Sequence, residues 1–187
     1  MKQKFENLCL KINIWLFIVP MGILFGIMSF FLIPGLQAHL GTTQLLDTMF
    51  SGYSTEYAEY LMQKLGHEGR HSYLSLELYA DVPFIFFYVT VFTLLTVRLL
   101  IKNRLWNSWF RFIAFLPLLA GIFDWLENSM IISVLIQYPD INGKLISISS
   151  FATYMKGCFL ILMFLSLLLN LMMILYRFIV SKSNHDF

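Results

Sequence analysis

The chain has 187 residues, of which 58% are hydrophobic and 13% charged, with a formal net charge of +2 and a mean hydropathy of +0.71. That balance excludes an ordinary water-soluble domain and points to the membrane class. A charge this close to neutrality, with no long basic run, argues against nucleic acid as a partner.

Four apolar stretches reach the roughly 18 residues that a spanning helix requires. In chain order they cover about 12–36, 78–101, 110–136 and 146–179. The first follows Lys2, Lys4 and Lys11, as the apolar core of a signal peptide would. It is longer than such a core and no small-x-small cleavage pattern follows it, so it reads as a retained helix. Pro20 predicts a mild kink, Gly22 and Gly26 a close helix–helix contact, and Pro34-Gly35 the end of the helix.

The segment of about 43–76 is expected to form a helical lid. Ser54 or Thr55 can cap a short helix that presents Tyr57, Tyr60, Leu61 and Leu65 on one apolar face and stops at Gly66. A second helix then starts near Glu68-Gly69-Arg70 and continues into the second apolar stretch. The glycines around His67 and Glu68 lack the Lys-Ser/Thr of a phosphate loop and read as a helix–turn–helix corner. No internal repeat supports an inverted-repeat transporter. The expected fold is all-α: one domain over residues 1–187, an integral membrane four-helix bundle with a helical extracytoplasmic loop between helices 1 and 2.

The basic residues set an expected orientation. Lys2, Lys4, Lys11, Arg98, Lys102, Arg104, Arg111, Arg177 and Lys182 would all lie on one side, which the positive-inside rule makes cytoplasmic. Both termini are then cytoplasmic, and the location is a bacterial inner or plasma membrane. Trp106 and Trp109 mark one interface, Tyr79 and Tyr138 the other.

The third stretch carries Asp124, Glu127 and Asn128 at i, i+3 and i+4, on one helical face. An unpaired charge within a bilayer costs several kcal/mol, so these acids must be paired, hydrated or used. At about 1.5 Å of rise per residue, Asp124 lies roughly 20 Å along helix 3. Lys156 lies roughly 15 Å down the oppositely running helix 4, near the same depth. Ser149, Thr153 and Lys156 share a face of helix 4. Glu77, Asp81 and Tyr88 share a face of helix 2. These groups predict an outward-facing acidic pocket, with Arg70 and His71 at its mouth. The bland alternative is structural pairing, of Lys156 with Asp124 or Glu127 and of Arg70 with Asp81. Against it stands a surplus of acids over bases.

His39, His67 and His71 offer nitrogen donors, but neither H-E-x-x-H nor C-x-x-C spacing occurs, so no metal and no other cofactor is expected. Cys9 and Cys158 are too far apart in the expected topology for a disulfide.

Two resemblances add to this reading. Leu46-Asp47, Gly52-Tyr53, Leu65-Gly66-x-x-Gly69-Arg70-x-x-Tyr73, Asp81-x-Pro83 and Asp124-x-x-Glu127-Asn128 together resemble a group of small four-helix bacterial membrane proteins, which implies no particular chemistry. Glu77-Leu78-Tyr79-Ala80-Asp81-Val82-Pro83-Phe84, with an acid followed by Pro-Phe, resembles the opening of the second helix in the EXPERA (emopamil-binding-like) membrane proteins. That likeness implies a sterol or lipophilic amine held in an acid-lined cavity, although helix 1 here carries no intramembrane acid.

The functional expectation is a binding protein for a lipophilic or cationic small molecule, or a lipid. The ligand-contacting set is Arg70, His71, Glu77, Asp81, Tyr88, Asp124, Glu127, Asn128, Thr153 and Lys156. One alternative is an intramembrane enzyme acting on a lipid-like substrate, with Asp124 or Glu127 as general acid/base and Lys156 stabilising negative charge. Another is an accessory subunit. Expected partners are membrane lipids, such a ligand, and a membrane-protein partner or a second copy.

Overall fold

A computed structural model describes residues 2–183, with the side chains of Lys2, His39, Lys182 and Ser183 outside the described set. Every regular element among them is helical. Four helical rods are long and apolar enough to cross a membrane: Trp15–Ala38, Thr55–Lys102, Trp109–Gln137 and Gly143–Ser181.

Helix α1 (Lys2–Lys11) precedes the first rod and ends on Lys11, whose charge suits the negative end of a helix dipole. Arg98 fixes the joint that follows. Its guanidinium donates to the Cys9 carbonyl at 2.9 and 3.0 Å and also to that of Ile12. The first rod is α2 (Trp15–Ile27), a π-turn (Met28–Leu32) and α3 (Ile33–Leu40). Pro34-Gly35 therefore does not end the helix, contrary to the sequence expectation. A proline ring clashes with the carbonyl four residues back and offers it no N–H. Here that residue is Phe30, inside the π-turn, where wider i→i+5 winding makes room.

The same device recurs in the second rod. Helix α4 (Thr55–Leu76) passes through a π-turn (Glu77–Asp81) into α5 (Val82–Lys102), and Pro83 stands two residues past the turn, as Pro34 does past the first. Ser54 caps α4 by accepting from the Tyr57 N–H at 3.2 Å. Gly66 breaks it internally at φ +63°, ψ −173°, a conformation open to glycine and strained for other residues. Between the first two rods only Leu46–Thr48 is regular, a single 3₁₀ turn, so the helical part of the expected lid begins at Thr55.

A tight turn at residues 103–108 leads through a 3₁₀ segment (Trp109–Phe115) to α6 (Leu116–Gln137), and α7 (Gly143–Ser183) runs back along it as the closest-packed neighbour. Asn103 ties the turn to α7, donating to both the backbone and side-chain oxygens of Asn170 at 3.0 and 2.9 Å. One apolar core, with Leu40, Leu45, Leu46, Leu61, Met62 and Ile131, packs the loop end of the bundle. A second, with Cys9, Leu94, Val97, Leu100 and Trp106, packs the opposite end. The polar cluster lies between them.

Candidate functional site

Helices α4 to α7 turn their polar faces toward one another around Lys156 of α7. Its ammonium lies 3.1 Å from Asp124 Oδ1 and ion-pairs with Glu127 Oε2. Asp124 Oδ2 accepts a hydrogen bond from the Tyr88 hydroxyl at 2.9 Å. Glu127 Oε1 accepts one from Thr153 at 2.5 Å, and the Asn128 amide donates to Asp81. The wider turn Glu77–Asp81 carries its other acid, Glu77, inward as well. Glu77 is 0% exposed and neither carboxylate oxygen has a hydrogen-bond partner. Its charged neighbours are Asp47, Asp81, Glu127 and Lys156.

The loop of residues 41–54 closes this group from above. Its apolar pair Leu45-Leu46 is fully buried in the core, which draws the loop down onto the helices. Tyr53 anchors it twice on α7, through its N–H to Ser150 Oγ at 2.8 Å and its hydroxyl to Ser149 Oγ at 2.7 Å. Gly52 must be small as well as flexible, because at φ +83° a Cβ there would meet Ser150 Oγ at 2.8 Å. Phe50 sits over Lys156, with Nζ 5.7 Å from its ring centre.

Asp47 is the member that sequence reasoning missed as a site residue. It is half-buried, but its carboxyl turns inward and accepts from the fully buried Tyr73 hydroxyl at 2.8 Å. Its backbone carbonyl lies 3.5 Å from Lys156 Nζ. An aspartate directly after the apolar pair Leu45-Leu46 is the one signal that could have identified it.

The expected pocket differs from this arrangement in two ways. It is closed: Glu77, Asp81, Tyr88, Asp124, Glu127, Asn128, Thr153 and Lys156 are each at most 8% exposed. Its expected mouth is also elsewhere. Arg70 does not reach Asp81; it donates to the Met62 carbonyl at 2.8 Å and lies 4.0 Å from the Tyr138 ring centre. The break at Gly66 frees the carbonyls of the preceding turn, and Arg70, bent back by that corner, satisfies one of them. His71 is exposed and lines, with His67 and Arg70, a separate recess of about 240 Å³. Among the described residues no group of three His, Cys, Asp or Glu side chains is placed to hold a metal ion. The His39 side chain, a nitrogen donor considered from the sequence, lies outside the described residues.

Burial pushes the Asp47 carboxyl up from its ordinary value of 3.8, against the pull of Lys156. A carboxyl raised by folding binds its proton more tightly in the folded chain. Its contribution to stability is therefore full below the ordinary value and is lost as pH rises through the folded value. Asp47→Asn is expected to remove this pH-dependent loss, flattening the slope of thermal stability on the alkaline side of pH 3.8. Parallel pH profiles for wild type and variant, measured in detergent, would show that Asp47 titrates as it does in the unfolded chain.

No protein-family model, curated protein or solved structure matches the chain.

Proposed function

We propose that the chain is a multi-pass membrane protein, with both termini cytoplasmic, that binds a lipophilic cationic small molecule in its acid cluster from the outer side. The observation that carries this reading is the imbalance around Lys156. Among the described residues, five carboxyls, Asp47, Glu77, Asp81, Asp124 and Glu127, surround a single lysine, and Glu77 has no partner for either oxygen. Buried charge in surroundings of low polarity is neutralised by a proton or by a counter-cation. An ammonium group brought in by an amphiphilic amine supplies the missing charge and the missing donors at Glu77. The aromatic rings of Phe50, Tyr73 and Tyr88 around the group suit such a cation. The ligand would enter by parting the two Tyr53 contacts with α7, which are few and lie at the outer rim.

The test is ligand-dependent stabilisation of the purified protein. A ligand present at about 100 times its Kd stabilises the folded form by about 2.7 kcal/mol. Lipophilic amines are expected to raise the melting temperature, their uncharged isosteres are not, and Glu77→Gln should abolish the difference. Equal responses to amines and isosteres, or none to either, would overturn the proposal.

The hydrogen-bonded series Tyr88–Asp124–Lys156–Glu127–Thr153 favours one second reading, an intramembrane enzyme acting on a lipid-like substrate. Asp124 or Glu127 would exchange the proton and Lys156 would stabilise developing negative charge. Lipid turnover lost in Asp124→Asn, with the fold retained, would identify it.

A further inference from the structure

The opposite end of the bundle holds a second set of unsatisfied groups. A crevice of about 400 Å³ opens between α1, α5 and the start of α6, with Phe5, Thr93, Trp106, Arg111, Phe115 and Leu118 on its walls. Trp106 is 7% exposed, yet its indole N–H has no hydrogen-bond partner. The Thr93 hydroxyl, on the same walls, has none either. Buried donors are ordinarily paired, so two orphans in one crevice point to an absent acceptor. Phe5 of α1 stacks on Trp106, with ring centres 6.1 Å apart, and closes one side. Arg111 is exposed beside the ring of Phe112, 5.1 Å from its centre. Lys4, Lys11, Lys102 and Arg104 are exposed at the same end, giving it an excess of positive charge.

At Leu118 this crevice meets a longer apolar groove of about 690 Å³ between α5 and α6, walled by Phe86, Val89, Gly121, Ile122 and Trp125. Gly121 sets its floor, since a Cβ there would come within 2.3 Å of Val89. The hydroxyls along it are satisfied internally. Thr90 bonds the Phe86 carbonyl and Ser129 that of Trp125. From Arg111 to Ser129 the crevice and groove together run roughly 27 Å at about 1.5 Å per residue. One leaflet of a bilayer core is about 15 Å deep, so a lipid held at Arg111 occupies the crevice and the end of the groove nearest Leu118.

The geometry points to a binding site for an anionic phospholipid of the inner leaflet, its phosphate on Arg111, its ester oxygens on Trp106 and Thr93, and one acyl chain through the crevice into the near end of the α5–α6 groove. The site rests on the membrane placement proposed above but not on the acid cluster, from which it is separate.

The experiment is native mass spectrometry of the full chain released from detergent. It compares phosphatidylglycerol with phosphatidylcholine of the same acyl chains, and with glycerol 3-phosphate and inorganic phosphate. Phosphatidylglycerol is expected to bind about tenfold more tightly than phosphatidylcholine, the scale of one charge-assisted contact. Arg111→Gln should erase that preference and Trp106→Phe should weaken retention of both lipids. Arg104→Gln, an exposed charge outside the crevice, should leave both unchanged, and so should Glu77→Gln, which separates this result from the fate of the acid-cluster reading. Equal retention of the two lipids, or equal losses in Arg111→Gln and Arg104→Gln, would overturn the site. Binding of inorganic phosphate or glycerol 3-phosphate as strong as that of phosphatidylglycerol would overturn the lipid assignment, leaving an anion site with no role for the groove. A protein that retains no lipid but forms a dimer broken by Leu118→Trp would assign the groove to a second copy instead.

Discussion

Lys156→Met is expected to be the most destabilising single substitution in the chain. Met matches the length of the lysine stem, so the change removes the charge with little change in packing. What remains is Asp124 and Glu127 facing each other with no cation between them. Removing one partner of a buried ion pair costs about 3–5 kcal/mol, because the other partner stays buried and uncompensated. Adding Asp124→Asn and Glu127→Gln should return part of that loss. The three residues share one network, so the combined effect is expected to depart from the sum of the singles by more than about 1 kcal/mol. Unfolding in detergent, followed by denaturant or heat, reads wild type, the singles and the combined variant. Additive losses would mean that Lys156 does not meet these acids in solution.

The helical period makes this part of the site legible in the amino-acid sequence. Asp124, Glu127 and Asn128 fall on one face by spacing alone, and the charge bias of the chain ends sets α6 and α7 antiparallel, which brings Lys156 to the level of Asp124. Neither step needs tertiary detail. The four long apolar rods are legible for the same reason, since length and hydropathy are local properties. The loop is different. Asp47 reaches the cluster because Leu45 and Leu46 are drawn into the core and Tyr53 grips α7. The two Tyr53 contacts join residues 97 and 96 positions apart, which no periodicity relates. Arg70 escapes sequence reasoning for a similar reason. A continuous helix would aim it one or two turns above Glu77, but the corner at Gly66 turns it back to Met62. The π-turns lie between these extremes. Each is marked by a proline two residues beyond its end, Pro34 and Pro83. A proline there reads in a sequence as a helix stop rather than as a change of winding.

Glu77 supplies the sharpest separation between a structural and a functional cluster, because the two readings predict opposite signs. If the glutamate helps to hold the fold, its removal costs stability. The structure offers it nothing to hold: it is fully buried and neither oxygen is bonded. An unsatisfied buried polar group carries a desolvation penalty of about 1–3 kcal/mol, and exchange for an apolar side chain of the same shape removes it. Glu77→Met is close to isosteric, so ligand-free protein carrying it is expected to be more stable than wild type by about 1–3 kcal/mol in detergent unfolding. The same variant should lose the stabilisation that lipophilic amines are expected to confer on wild type. A gain in stability joined to a loss of binding is the mark of a residue kept for its ligand at the expense of the fold. A Glu77→Met protein that is less stable than wild type would mean that the carboxyl is bonded in the folded state and is not held open for a ligand.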